Sequence, residues 1–152
     1  MTGTVVRVER LFEHRPDRVW SVIGDFAGLA CWMPGVENCT LAGPAAVTAG
    51  VSERVVTLQG GGSARERLDA IDEVGRWYRY TVMSARGLSR GSHCEVECRV
   101  LPEGEGCRVV WTACLTDAVN PAAVDRERVR DYMATFYHEA LMSLARVLDG
   151  ET

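Results

Sequence analysis

The stretch from Asn120 to Gly150, NPAAVDRERVRDYMATFYHEALMSLARVLDG, decides the fold. Asn120 is a good N-cap and Pro121 suits the first position of a helix. Val129, Met133, Phe136, Tyr137, Ala140, Leu141, Leu144 and Leu148 recur at spacings of three and four, which makes one apolar stripe along a helix. Gly150 then stands where a helix-ending glycine would. Roughly thirty residues at about 1.5 Å each give a helix on the order of 45 Å long. No other segment reads as a comparable helix, so a sheet must supply the surface on which that stripe is buried.

The rest of the chain supplies the strands. Thr4 to Phe12 is rich in β-branched residues, with Val6 and Val8 alternating with Arg7 and Glu9. Pro16 and Asp17 open a short helix with Val19, Trp20, Val22 and Ile23 as its apolar face, and Phe26 to Trp32 makes a second short turn. Pro34-Gly35 is a turn signal. Strands follow at Val36 to Leu41, Val51 to Leu58, Ala64 to Val74, Trp77 to Met83, Ser92 to Leu101 and Cys107 to Leu115. In the third of these, alternation places Glu66, Leu68 and Ala70 on one face, and in the last it places Val109, Trp111 and Ala113 inside. Gly60-Gly61-Gly62-Ser63 precedes a strand rather than a helix and lacks a following GK[ST], so it reads as a hairpin loop and not a phosphate cradle. Short glycine-containing turns between consecutive strands imply an antiparallel meander. With the helices segregated to one face, the class is α+β and one domain spans residues 1–152.

Composition excludes several functions. The 152 residues carry a net charge of −4 without a basic cluster, which argues against a nucleic-acid partner. No apolar run is long enough to cross a membrane, and Met1 to Arg10 lacks the apolar core of a signal peptide, so the expected location is cytoplasmic. Six cysteines without a CxxC pair or a His/Cys cluster of zinc spacing read as small core residues, and no metal site is expected. All 17 basic residues are arginine, so chemistry through a lysine Schiff base is excluded. No cofactor is expected.

Val19-Trp20, Asp25-Phe26, Leu29, Trp32-Met33-Pro34-Gly35-Val36, Glu66-Arg67-Leu68, Asp72, Tyr80, Val110-Trp111-Thr112-Ala113 and Ala140-Leu141 with Leu144 run through nearly the whole chain. Together with the element order they resemble the START-like, or helix-grip, superfamily, which includes birch-pollen-allergen-like proteins and bacterial polyketide cyclase/dehydrase proteins. The resemblance implies a helix-grip fold: a curved seven-stranded antiparallel sheet around a long C-terminal helix, two short helices after the first strand, and a deep apolar cavity. It implies a cavity lined by Glu66, Tyr80, Val82, Trp111, Tyr132, Phe136 and Ala140, with Leu68 beside Glu66 and Trp32 closing one end. It also implies a gate at Gly60 to Ser63 and a facing loop at Ser84 to Gly91. Plant abscisic-acid receptors look like distant relatives, but Glu37 falls where they place a lysine that captures a ligand carboxylate. That departure argues against an acidic ligand held in this way.

Glu66 is the leading candidate for chemistry. A carboxylate facing an apolar cavity suits a general acid or base, as aldol cyclisation and dehydration require. Against this stands the alternative that it pairs with a neighbouring arginine or a buried water. Glu37 is a candidate second carboxyl, weighed against a solvated surface glutamate. Tyr80 and Tyr132 are candidate hydrogen-bond donors to a substrate carbonyl. His93 has opposite parity to Cys94 and Val96 and should point outward, unless a bulge near Gly91 turns it into the cavity as a base. His14 and His138 are expected at the surface. Two functions follow: a cofactor-independent cyclase or dehydratase acting on a polyketide-like aromatic precursor, or a non-catalytic carrier or sensor of a hydrophobic small molecule. Whether the protein forms a homodimer is left open.

Overall fold

The computed structural model describes residues 3–43, 47–85, 92–116 and 126–150. Seven strands, β1 (Gly3–Phe12), β2 (Val36–Ala42), β3 (Glu53–Leu58), β4 (Ser63–Asp72), β5 (Trp77–Ser84), β6 (His93–Glu103) and β7 (Gly106–Thr116), form one sheet. Its order is β1-β7-β6-β5-β4-β3-β2, with every neighbouring pair antiparallel. Helix α1 (Pro16–Ile23) and a 3-10 turn (Leu29–Cys31) follow β1, and helix α2 (Arg126–Leu148) closes the chain. This is the expected helix-grip arrangement. The proposed cap of α2 at Asn120 and Pro121 and most of the loop at Ser84 to Gly91 lie outside the described residues.

Local sequence accounts for the helices. Arg15 is extended at the N-cap of α1, Pro16 sits in the first turn with Asp17, and Val19, Trp20 and Ile23 are buried. Along α2, Tyr137, Ala140, Leu141, Leu144 and Leu148 are buried, as the stripe predicts. Fully burying a leucine such as Leu141 or Leu144 contributes about 1.5–3 kcal/mol. The Ser143 hydroxyl donates to the Trp32 carbonyl at 2.7 Å, which ties α2 to the segment ahead of β2. His14 Nε2 lies 3.0 Å from Asp149 Oδ1, so the end of β1 holds the end of α2.

The two faces of the sheet differ sharply. Thr4, Val6, Val8, Val96, Cys98, Trp111 and Ala113 form the inner face and are at most 3% exposed. The outer face is a lattice of arginine–carboxylate pairs, among them Arg7–Glu9, Arg99–Glu97 and Arg108 with Glu9 and Glu103. Exposed pairs of this kind are worth about 0–1 kcal/mol each.

Three register shifts interrupt the ladder, at Val36/Asn38, Arg65/Glu66 and Leu68/Ala70, and the first and last correct the alternation read from β2 and β4. Val36 pairs with Leu58 and Asn38 with Thr57, leaving Glu37 as the extra residue. Cys39, opposite Val56, therefore shares the inner face with Val36, and Glu37 is exposed. Asp69 is likewise extra: Leu68 pairs with Tyr80, but Ala70 pairs with Arg79 and Ile71 with Tyr78. Ala70 thus leaves the face of Glu66 and Leu68, and Ile71 takes its place.

Candidate functional site

Arg54 and Glu66 stand directly opposite each other on β3 and β4, both on the inner face. Alternation explains it: Arg54 has the parity of buried Val56, and Glu66 that of Ala64 and Leu68. The Arg54 Nε donates to Glu66 Oε1 at 2.7 Å, and Nη2 lies 2.7 Å from the same oxygen. The Arg54 Nη1 donates to the Phe26 carbonyl at 2.8 Å. Its guanidinium carbon sits 4.2 Å from the Phe26 ring centroid and 4.7 Å from that of Tyr80, a cation held between two aromatic faces. The Arg54 side chain is 1% exposed and that of Glu66 11%. Burial is the largest single influence and works against the charge of Arg54, but the Glu66 carboxylate, Tyr80 and Tyr78 together outweigh it and hold the guanidinium protonated. Glu66 Oε2 makes no hydrogen bond among the described residues, so one oxygen is clamped and the other is without a partner there.

Around this pair the titratable groups are neutral. Burial raises the hydroxyls of Tyr78, Tyr80 and Tyr137 above the ordinary tyrosine range, and Glu66 pushes the same way on all three. Burial likewise pushes the Cys94 thiol up to about 12. Tyr78 and Tyr80 stack with centroids 5.9 Å apart, while Trp32, Trp111, Tyr137 and Phe136 form a second aromatic run through contacts of 5.9, 5.5 and 5.6 Å.

Burial also shows where the interior opens. Leu41, Arg54, Glu66, Val82, Cys94, Leu115 and Thr4 form one row across the sheet, and Leu41, Val82 and Leu115 in it are only half-buried. The next inner row, with Leu68, Tyr80, Val96 and Ala113, is buried. On α2, Val129, Met133, Ala134 and Phe136 are half-buried in its N-terminal half, and Ser143, Ala145 and Val147 in its C-terminal half. Half-buried apolar side chains thus border the Glu66 row and both halves of the helix.

The structure brings Glu66, Tyr80, Val82, Leu68, Trp111, Phe136, Ala140 and Trp32 to the interior between sheet and helix. Three expected residues are elsewhere. Tyr132 is 74% exposed. It lies about 140° around the helix from the buried stripe at about 100° per residue, so it cannot reach the interior. Glu37 is turned out by its bulge. His93 pairs with Thr116 in unbroken β6–β7 register, on the face opposite Cys94 and Val96, so the bulge that would turn it inward is absent from the described part of β6. His14 is half-buried rather than at the surface, while His138 is exposed. Arg54, Tyr78 and Tyr137 were not anticipated as site residues. The parity of Arg54 with Val56 was the available signal for the first. Among the described residues no three metal-ligating side chains come together.

A family model described as "Polyketide cyclase / dehydrase and lipid transport" matches residues 4–149. No curated protein matches the chain. Among solved structures, a Thermobifida fusca protein is 25% identical with a TM-score of 0.79, covering 95% of this chain and 93% of its own. The protein XoxI of Bacillus cereus is 22% identical with a TM-score of 0.72, covering 97% and 96%. A Bacillus thuringiensis protein of uncharacterised function is 22% identical with a TM-score of 0.73, covering 97% and 98%. The last two likenesses establish the fold alone.

Proposed function

The chain belongs to the polyketide cyclase/dehydrase and lipid transport family, and on that premise we propose that it is a cofactor-independent cyclase or dehydratase acting on a hydrophobic small molecule held between sheet and α2. The observation that carries this reading is Glu66: a carboxylate inside an apolar shell, one oxygen fixed by Arg54 and the other without a partner among the described residues. Glu66 Oε2 takes a proton from the carbon next to a substrate carbonyl. The resulting carbanion closes a ring by attacking a second carbonyl, and the alkoxide so formed takes that proton back from Glu66 to become a hydroxyl. Glu66 then removes the second proton of the same carbon and passes it to the hydroxyl, which leaves as water as a carbon–carbon double bond forms. Tyr80 stays protonated and donates to the oxygen on which charge develops. Six unpaired cysteines fit a reducing compartment and support a cytoplasmic location.

A carrier without chemistry is the second reading. What favours it is that Glu66 is already engaged in a buried ion pair with Arg54. Native mass spectrometry of the purified protein, followed by incubation of the extracted ligand with fresh protein, tests both. A ligand converted to a cyclised isomer, or lighter by one water, is expected of the enzyme. A ligand returned unchanged would overturn catalysis in favour of the carrier.

A further inference from the structure

The sheet ends in two edge strands, β1 and β2, and they are built differently. β2 is seven residues long and carries the register shift between Val36 and Asn38 that turns Glu37 out. A bulge of this kind guards an edge against pairing with another chain. β1 is ten residues long and keeps unbroken register with β7 from Gly3 to Phe12. Among the described residues no hydrogen bond reaches its other edge. Arg10 has the parity of inner Val6 and Val8 yet is exposed, so that edge is open to solvent there. A long, regular edge strand is a template for one more strand.

The side chains of β1 specify which strand. Val5, Arg7, Glu9 and Leu11 stand on the outer face and all four are exposed, Val5 at 53% and Leu11 at 59%. Laid antiparallel on a second copy about a twofold axis at Val8, this strand complements itself. Arg7 then faces Glu9 of the second copy and Glu9 faces its Arg7, while Val5 faces its Leu11 and Leu11 its Val5. Residues directly opposite have Cβ atoms about 4.5–5.5 Å apart, within reach of an ion pair or an apolar contact. Moving the axis to Arg7 sets two arginines against each other and Val5 against a glutamate. Moving it to Glu9 sets two glutamates together and Leu11 against an arginine. The register at Val8 thus satisfies every one of these outer-face pairs, as a self-complementary interface requires. In the single chain Arg7 meets only its own Glu9, at 2.6 Å in an exposed pair.

We infer that β1 pairs with β1 of a second copy of this chain, joining the two seven-stranded sheets into one about a twofold axis at Val8. The inference goes beyond the proposed chemistry and does not rest on it, since β4, which carries Glu66, lies four strands away from β1.

Sedimentation equilibrium on the full chain, from micromolar to near-millimolar concentration, tests it. The mass should rise with concentration from 16.7 kDa toward twice that value. Arg7→Glu or Glu9→Arg sets like charges opposite each other on both sides of the axis and should raise the dissociation constant about tenfold or more. Arg7→Glu/Glu9→Arg returns opposite charges to both positions and should bring the dimer back. Amide hydrogen exchange between Gly3 and Phe12 should slow as concentration rises, while exchange between Val36 and Ala42 stays constant. A mass of 16.7 kDa at every concentration overturns the inference. So does a dimer that both single variants leave intact, one that the charge swap fails to restore, or one whose slowed amides lie outside β1.

Discussion

Replacing Arg54 and Glu66 singly and together should reveal a strong coupling. In Glu66→Leu, a guanidinium that is 1% exposed keeps the Phe26 carbonyl and two ring faces but loses its anion. In Arg54→Met, the carboxylate is left on the inner face with 11% side-chain exposure and no cation. Removing one partner of a buried pair costs about 3–5 kcal/mol, whereas replacing both with apolar residues is close to neutral or stabilising. Each single variant should therefore lose about 3 kcal/mol or more, and Arg54→Met/Glu66→Leu should recover most of it. The coupling energy should reach about 4 kcal/mol, two losses of about 3 kcal/mol less the small loss left in the double variant. At about 2–4 °C per kcal/mol for a chain of this size, each single variant should melt about 6–20 °C lower. Urea unfolding of the wild type and the variants, analysed as a double-mutant cycle, measures this. Additivity within about 0.5 kcal/mol would refute the clamp and remove the basis for a fixed Glu66 oxygen.

The same double variant keeps the interior neutral, so it should stay folded yet lose turnover of the extracted ligand; undiminished turnover would exclude Glu66 as the base. Thiol labelling at pH 8 should modify exposed Cys31 quickly and leave Cys94, raised by burial to about 12, unlabelled until the chain unfolds; mass mapping that finds Cys94 labelled as fast as Cys31 would contradict that. Because the folded Cys94 pKa lies above the unfolded value of 9, its contribution to stability is complete below pH 9 and is lost as pH rises toward 12; urea midpoints should fall across that window, with Tyr137 and Tyr80 acting in the same direction. At Gly106 a Cβ would overlap the Phe12 carbonyl oxygen, so Gly106→Ala should destabilise the β6–β7 turn by more than about 2 kcal/mol; a melting temperature within a degree of wild type would contradict that.

The strands and the buried stripe of α2 were legible in the sequence because both rest on period alone. Val6 and Val8 alternate with charge along β1, and Ala140, Leu141 and Leu144 recur with the helical turn. Period fails where one residue is added. Glu37 has the parity of inner Cys39, yet the bulge turns it to solvent, and Asp69 removes Ala70 from the face of Glu66 in the same way. Nothing in the residue types at those positions announces a bulge, since each arises from register with a neighbouring strand. Tyr132 failed for a different reason: it was carried over from the family resemblance rather than from the helical period, and its angle from Tyr137 and Leu141 at about 100° per residue turns it away from the buried stripe.

Arg54 is the instructive omission. The alternation that puts Val56 inside also puts Arg54 inside, but an arginine in a strand is read as outward unless its partner is known. The partner is a matter of register, because Glu66 becomes its opposite only once β3 and β4 are paired. Stability alone gives no reason for the pair to be charged, since two apolar residues would serve the core as well or better. What an apolar pair cannot supply is a carboxylate held at a fixed angle inside an apolar shell, with one oxygen bound and one left for a ligand. The same ion pair that makes Glu66 tolerable in the core serves both proposed functions, since a carbonyl-bearing ligand could meet the unbound oxygen whether or not a proton then moves, and the two functions would differ in the ligand rather than in the protein.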